Sequence, residues 1–169
     1  MRHTRLLLIL LLSLPLAFTR AGAHGGGEIQ IANAPVGPYK LTAWLNPPQP
    51  QAGKTMHITI GLSEPPDDAP MLDATIAVQI TAVATNQLIL TTQATTAQSI
   101  NRLFYETDFT LADVGDYVVT MVVTAPGGEG TAVFPMTVNP ARDANWLLIG
   151  LLALIVVTLG SLYRNRTAV

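Results

Sequence analysis

Residues 111–123 have the sequence LADVGDYVVTMVV, and this stretch decides the fold. Asp113 and Gly115 are residue types that favour a turn, and Tyr117 follows them closely. From Tyr117 onward, every second residue up to Val123 is large and apolar. A period of two is typical of a strand with one buried face. The stretch therefore predicts a turn followed by a β-strand.

The same two-residue period recurs on both sides of this stretch, between segments rich in Pro, Gly, Asn and Asp. It covers residues 39–45, 56–62, 72–82, 88–96, 103–111 and 134–138. Thr85-Asn86 and the Gly-rich run 126–130 each join two such segments, which favours hairpin turns. We predict an all-β, immunoglobulin-like antiparallel β-sandwich of about seven to eight strands over residues 37–139, with Tyr117 as its tyrosine corner.

The N-terminal residues predict export. Arg2 and Arg5 precede an apolar run at 6–18, and Ala21-Gly22-Ala23 fits a small-residue cleavage site. This order is typical of a signal peptide over residues 1–23, since the apolar run is too short for a stable anchor. Cleavage after Ala23 would leave His24 as the first residue of a flexible, Gly-rich segment, residues 24–36.

The C-terminal residues predict a membrane anchor. A second apolar run covers 146–163, has Trp146 and Tyr163 at its ends, and is followed by two arginines. We expect a single-pass transmembrane helix over 146–163, a short stalk at 140–145 and a cytoplasmic tail at 164–169. The sandwich would then lie on the extracytoplasmic side of a bacterial cell membrane, close to a membrane-associated protein partner.

Charge and cysteine content exclude several kinds of function. All 11 acidic residues lie within residues 24–145, against four basic ones there: Lys40, Lys54, Arg102 and Arg142. Such an acidic surface argues against binding to nucleic acid or to an anionic membrane face. The chain has no cysteine, which excludes disulfides, thiolate metal sites and cysteine nucleophiles.

Three residues are candidate copper ligands. A mature N-terminal His24 would offer an α-amino nitrogen and an imidazole to Cu(II), and His57 is the other histidine downstream of the leader. The strand alternation places His57 on the outer face. Met71, in a Pro- and Asp-rich loop, adds an exposed thioether that suits Cu(I). The alternative is that His24 is merely the first residue of a disordered Gly-rich segment and His57 an ordinary surface residue. Met56, Met121 and Met136 fall on the inward face, where methionine usually fills the core.

No arrangement of residues favours catalysis. Asp67-Asp68 and the pair Asp113 and Asp116 are the close carboxylates, and Ca²⁺ binding by these loops is an alternative to a role in turns. No serine–histidine motif surrounds His57, and no Gly-rich phosphate loop follows a strand. We therefore expect a protein that is not an enzyme.

Four motifs resemble a known family. Gly-Pro-Tyr at 37–39, Ala-Gly-Lys at 52–54, the run APMLDATIAV at 69–78 and Asp-Val-Gly-Asp-Tyr at 113–117 resemble bacterial YtkA-like domains and, more distantly, CopC-like copper-resistance sandwiches. The second resemblance implies copper binding through an N-terminal histidine, a role that only His24 can take here. A shared fold by itself does not establish a function.

Together these patterns predict a membrane-anchored extracytoplasmic binding module, with a copper-handling accessory as the narrower hypothesis. The alternative is a structural or assembly subunit of a membrane complex with no metal role. In that case the predicted anchor would pack against other helices, although Gly150 and Gly160 do not form a Gly-xxx-Gly pair.

Overall fold

Nine strands and one helix form the regular structure of the residues that the computed structural model describes, which are 27–97, 99–141 and 146–166. The strands are β1 (Glu28–Val36), β2 (Tyr39–Asn46), β3 (Thr55–Glu64), β4 (Ala69–Pro70), β5 (Thr75–Ala82), β6 (Gln87–Ala94), β7 (Tyr105–Thr110), β8 (Gly115–Ala125) and β9 (Gly128–Val138). The helix is α1 (Trp146–Arg166).

The strands form two antiparallel sheets. One is five-stranded, in the order β1-β2-β3-β4, with β7 also paired to β3. The other is four-stranded, in the order β6-β5-β8-β9. The prediction of an all-β antiparallel sandwich is confirmed, while the expected seven to eight strands become nine in the described residues.

The core lies between the two sheets, where the alternating apolar residues meet. The five-stranded sheet contributes Leu41, Ala43, Leu45, Met56, Ile58, Ile60 and Leu62, and the four-stranded sheet contributes Ile76, Val78, Ile80, Val119, Met121, Val123, Phe134 and Met136, all of them buried. Burial of one such large side chain stabilises the folded state by about 1.5–3 kcal/mol, so the two-residue period is the main determinant of this fold.

Strand β1 corrects the prediction that residues 24–36 are flexible. Glu28–Val36 pairs with β2 along its whole length, with register shifts between Ile29 and Ile31 and between Ile31 and Ala34. These bulges break the two-residue period, which is why the sequence pattern did not show the strand. The leader 1–23, residues 24–26 and most of the predicted stalk lie outside the described residues.

The hydroxyl groups of buried tyrosines form hydrogen bonds that hold loops against the sandwich. Tyr117 Oη donates to the carbonyl of Asp113 (3.0 Å), which confirms the predicted tyrosine corner. Tyr105 Oη donates to the carbonyl of Met71 (3.0 Å) and accepts from the amide of Ala74 (2.9 Å).

Two further hydrogen bonds connect parts of the sandwich that are far apart in sequence. The Gly127 amide donates to Tyr39 Oη (2.7 Å), and the Asn139 amide donates to the carbonyl of Pro50 (2.8 Å).

The buried tyrosines predict a loss of stability at high pH. Burial raises the pKa of Tyr117 and of Tyr105 above the ordinary value of about 10, and nearby aspartates add to both shifts. The unfolded chain therefore loses these protons first, so the free energy of unfolding should fall as the pH rises above about 10. Urea unfolding between about pH 8 and 12 measures this effect.

A Tyr117→Phe variant provides the control for this prediction. It should lose about 1 kcal/mol near neutral pH, because the Asp113 carbonyl loses its donor. Its stability should then fall less steeply at high pH, because one of the two phenols no longer titrates. Equal slopes for the variant and the native chain would contradict this origin of the pH dependence.

Helix α1 corrects the predicted membrane anchor. Within the described residues, no helix is both long enough and apolar enough to cross a membrane. The predicted transmembrane helix at 146–163, and the single-pass topology that depended on it, are therefore wrong.

Candidate functional site

Polar and aromatic side chains cluster on the outer face of the five-stranded sheet. The strand register places Asn46, His57 and Asp108 side by side across β2, β3 and β7. It also places Trp44, Thr59 and Glu106 side by side in the next row that faces outward. We call Trp44, His57, Phe104, Glu106 and Asp108 the outer-face cluster.

His57 lies between the two carboxylates of this cluster. Its Nδ1 lies 2.7 Å from Asp108 Oδ1 and donates to it, and its Nε2 lies 3.8 Å from Glu106 Oε2. The His57 side chain is 32% exposed and that of Glu106 is 15% exposed. Polar contacts this close to solvent contribute little to stability, so the Nδ1–Asp108 hydrogen bond serves mainly to orient the imidazole, with Nε2 directed towards Glu106.

Trp44 and Phe104 form the aromatic part of the cluster. Their ring centroids are 5.7 Å apart and their planes meet at 76°, an edge-to-face contact. Gly61 lies beneath both rings, because a Cβ there would lie 3.3 Å from Phe104 Cε1 and 3.5 Å from Trp44 Cζ3. The segment before β7 therefore covers Trp44, which is half-buried on the polar side of its strand.

The two predicted site residues that the structure describes, His57 and Met71, lie apart in the fold. His24 lies outside the described residues, while His57 is on the outer face, as the strand alternation predicted. Met71 is partly buried against the core, and its amide donates to the carbonyl of Leu62 (2.9 Å). Leu62 is five residues beyond His57 on β3, a distance of about 17 Å at 3.4 Å per residue. The structure thus does not bring His57 and Met71 together.

The chain enters the five-stranded sheet close to His57. Gly27, directly before β1, lies against the backbone of Leu45 and Asn46, where a Cβ would lie 2.7 Å from the Asn46 amide nitrogen. Asn46 is the register partner of His57. Gly27 is therefore two strand spacings, about 10 Å, from His57, and three residues of chain can span about the same distance.

The described residues do not complete a metal site by themselves. Among residues 27–97, 99–141 and 146–166, no group of three or more histidines, aspartates or glutamates is arranged to hold a metal ion. Two of the four carboxylates considered for Ca²⁺ have local partners. Asp68 pairs with Lys40 (2.9 Å), and Asp116 accepts a hydrogen bond from Thr137 Oγ1 (2.8 Å). A metal bound at the outer-face cluster needs a further donor.

Glu106 and Asp108 were missed in the sequence analysis. Both alternate with buried Tyr105, Thr107 and Phe109, so the two-residue period could have placed them together on one outer face. Their position beside His57 depends on the pairing of β7 with β3, and His57 and Asp108 are 51 residues apart in sequence. No local pattern in a single sequence specifies that pairing.

Comparisons with known proteins assign neither a family nor a function to the chain. No protein-family model matches the sequence, so the resemblance to YtkA-like and CopC-like domains has no support from that comparison. No curated protein matches it either. Among solved structures, the chain is similar to FetP of uropathogenic E. coli strain F11, which was expressed in the periplasm of E. coli. The two are 13% identical, the match covers 70% of this chain and 97% of FetP, and the TM-score is 0.44. At these values the likeness carries no conclusion about function.

Proposed function

We propose that the chain is a non-catalytic, extracytoplasmic binding module that handles copper, with His24 and His57 as its metal-binding residues. The observation that carries this proposal is the position of Gly27, about 10 Å from His57, because three residues of chain can span that distance. The leader 1–23 supports the compartment, because a signal peptide directs export, and its cleavage after Ala23 would leave His24 with a free α-amino group.

The donor atoms fit Cu(II) better than Cu(I). His24 would supply an amino nitrogen and an imidazole nitrogen, and His57 would supply Nε2, since Asp108 engages its Nδ1. A carboxylate that holds the far nitrogen of a metal-binding imidazole fixes the orientation of the ring, which is the role we assign to Asp108. Glu106 lies beside Nε2 and offers a carboxylate oxygen.

Met71 does not belong to this site. Its position beside Leu62 places it about 17 Å along β3 from His57, whereas ligands of one metal ion lie within a few ångströms of each other. Its carbonyl and amide groups serve the structure of the loop, because they bond to Tyr105 and Leu62. Met71 therefore provides a matched control for the two histidines.

Calorimetric titration of Cu(II) into the chain that begins at His24 tests the proposal. We expect one copper per chain, with the affinity lowered at least ten-fold by His24→Ala and by His57→Ala, a change of about 1.4 kcal/mol or more in each. Met71→Leu should leave the affinity unchanged. A chain with one serine added before His24 keeps every side chain but places the amino group elsewhere, so it should also bind more weakly.

The result that would overturn the proposal is copper binding that is absent, or that is equal in the native chain and in both histidine variants. The function would then be that of a binding module with no metal role. Binding that depends on Met71 and not on His57 would also contradict the site described here.

A further inference from the structure

The outer face of the four-stranded sheet is almost free of charge. Its central rows consist of uncharged side chains: Ala77, Gln79, Thr81, Leu88, Thr91, Gln93, Val118, Thr120, Val122, Thr131, Val133 and Pro135. Among the described strands of this sheet, the charged residues that face outward are Asp116 and Glu129, one at each end. We call this surface the neutral face.

The two sheets differ sharply in how much charge their outer faces carry. The outer face of the five-stranded sheet carries Lys40, His57, Glu106 and Asp108, while charged side chains normally make up about a quarter to a third of a protein surface. Three rows of the neutral face, such as Thr91–Gln79–Thr120–Val133, cross all four strands without a charge. The absence of charge therefore extends over the whole width of the sheet.

The edges of this sheet are poorly suited to adding a strand from another molecule. Pro135 lies within the edge strand β9 and has no amide hydrogen to donate. The other edge strand, β6, has a register shift opposite Ile80 and Thr81, and such bulges disrupt edge pairing. Contact between molecules is thus directed to the face of the sheet rather than to its edges.

We propose that two copies of this chain associate through their neutral faces. A symmetric dimer places the same surface on both sides, so no charge in the central rows would be buried without a partner. The remaining surface is acidic, since Lys40, Lys54 and Arg102 are the basic residues among the described strands and loops. Two acidic molecules repel least where neither carries charge, and that surface is the neutral face.

The size of the face fits a concentration-dependent dimer. Four strands about 4.8 Å apart, with about eight residues at 3.4 Å each, give a projected area of roughly 500 Å² per copy. Two such faces together bury roughly 1,000 Å², the lower bound for a specific interface. Sheets of this kind pack about 10 Å apart, so residues near the centre of one face would lie about that far from the other face.

Cross-linking of the full chain tests this proposal, because the chain has no cysteine of its own. Thr120→Cys places a thiol at the centre of the neutral face, and Ser63→Cys places one on the outer face of the other sheet. With a bismaleimide reagent about 10 Å long, we expect Thr120→Cys to give at least ten-fold more covalent dimer than Ser63→Cys, with a yield that rises with protein concentration.

A charge placed on the face supplies the second measurement. Thr131→Arg, on the exposed strand β9, should lower the cross-linking yield of Thr120→Cys at least ten-fold, while Lys54→Arg should leave it unchanged. Circular dichroism would verify that each variant is folded. Equal yields from Thr120→Cys and Ser63→Cys would overturn the proposal and would indicate association through another part of the chain, such as α1. A Thr120→Cys chain that stays monomeric would overturn it as well.

Discussion

Replacement of Phe134 by alanine should lower the free energy of unfolding by about 4 kcal/mol. Phe134 is on β9, is 2% exposed and lies opposite Val119 in the core between the two sheets. Its removal deletes buried aromatic surface and leaves a cavity that the paired strands cannot close without losing their register. Urea unfolding followed by the fluorescence of Trp44, which is half-buried against Phe104 on the outer face of the five-stranded sheet, measures the change.

Val133→Ala provides the matched control for this prediction. Val133 is the preceding residue on the same strand, but it faces outward and is 53% exposed, so its truncation should cost less than about 0.5 kcal/mol. Because neighbouring residues of a strand point to opposite faces, the difference between the two variants tests the register of β9 directly. Similar losses for both variants would contradict the alternation described here.

Replacement of Gly130 by alanine should lower the free energy of unfolding by about 2–3 kcal/mol. The turn between β1 and β2 packs directly on the start of β9. A Cβ on Gly130 would overlap the amide nitrogen of Gly37 and would lie 2.5 Å from the carbonyl carbon of Val36. The backbone of two strands must separate to admit one methyl group, and the same urea unfolding experiment measures that cost.

Gly53→Ala is the control that separates the steric overlap expected in Gly130→Ala from backbone strain. Gly53 has a φ of +71°, which disfavours a side chain, but no atom lies within 4 Å of the position that its Cβ would take. Its replacement should therefore cost about 1 kcal/mol, from conformation alone. A larger loss for Gly53→Ala than for Gly130→Ala would show that close packing of β1 against β9 is not the source of the effect.

Much of the fold follows from the two-residue period of the sequence. The period identified β2, β3, β5, β8 and β9, because each of these strands has one face in the core and the other towards solvent. It also placed Met56 in the core and His57 outside, which the structure confirms. The tyrosine corner at Tyr117 was recognisable because its turn and its strand are adjacent in sequence.

The remaining features depend on contacts that sequence patterns do not encode. Strand β1 is irregular, and most of its side chains are at least partly exposed, so its pairing with β2 rather than its own pattern makes it a strand. The outer-face cluster depends on the pairing of β3 with β7. The apolar run at 146–163 has the composition of a membrane span, yet composition alone did not establish one.

The hydrogen bonds that close the sandwich also constrain how it can form. Tyr39 and Gly127 are 88 residues apart in sequence, and Pro50 and Asn139 are 89 residues apart. A fold dominated by such distant pairings has a high contact order, and chains of this kind fold in milliseconds to seconds rather than microseconds. The sandwich therefore cannot close until Asn139 is available to pair with Pro50, and a chain shortened before that residue would expose unpaired strands.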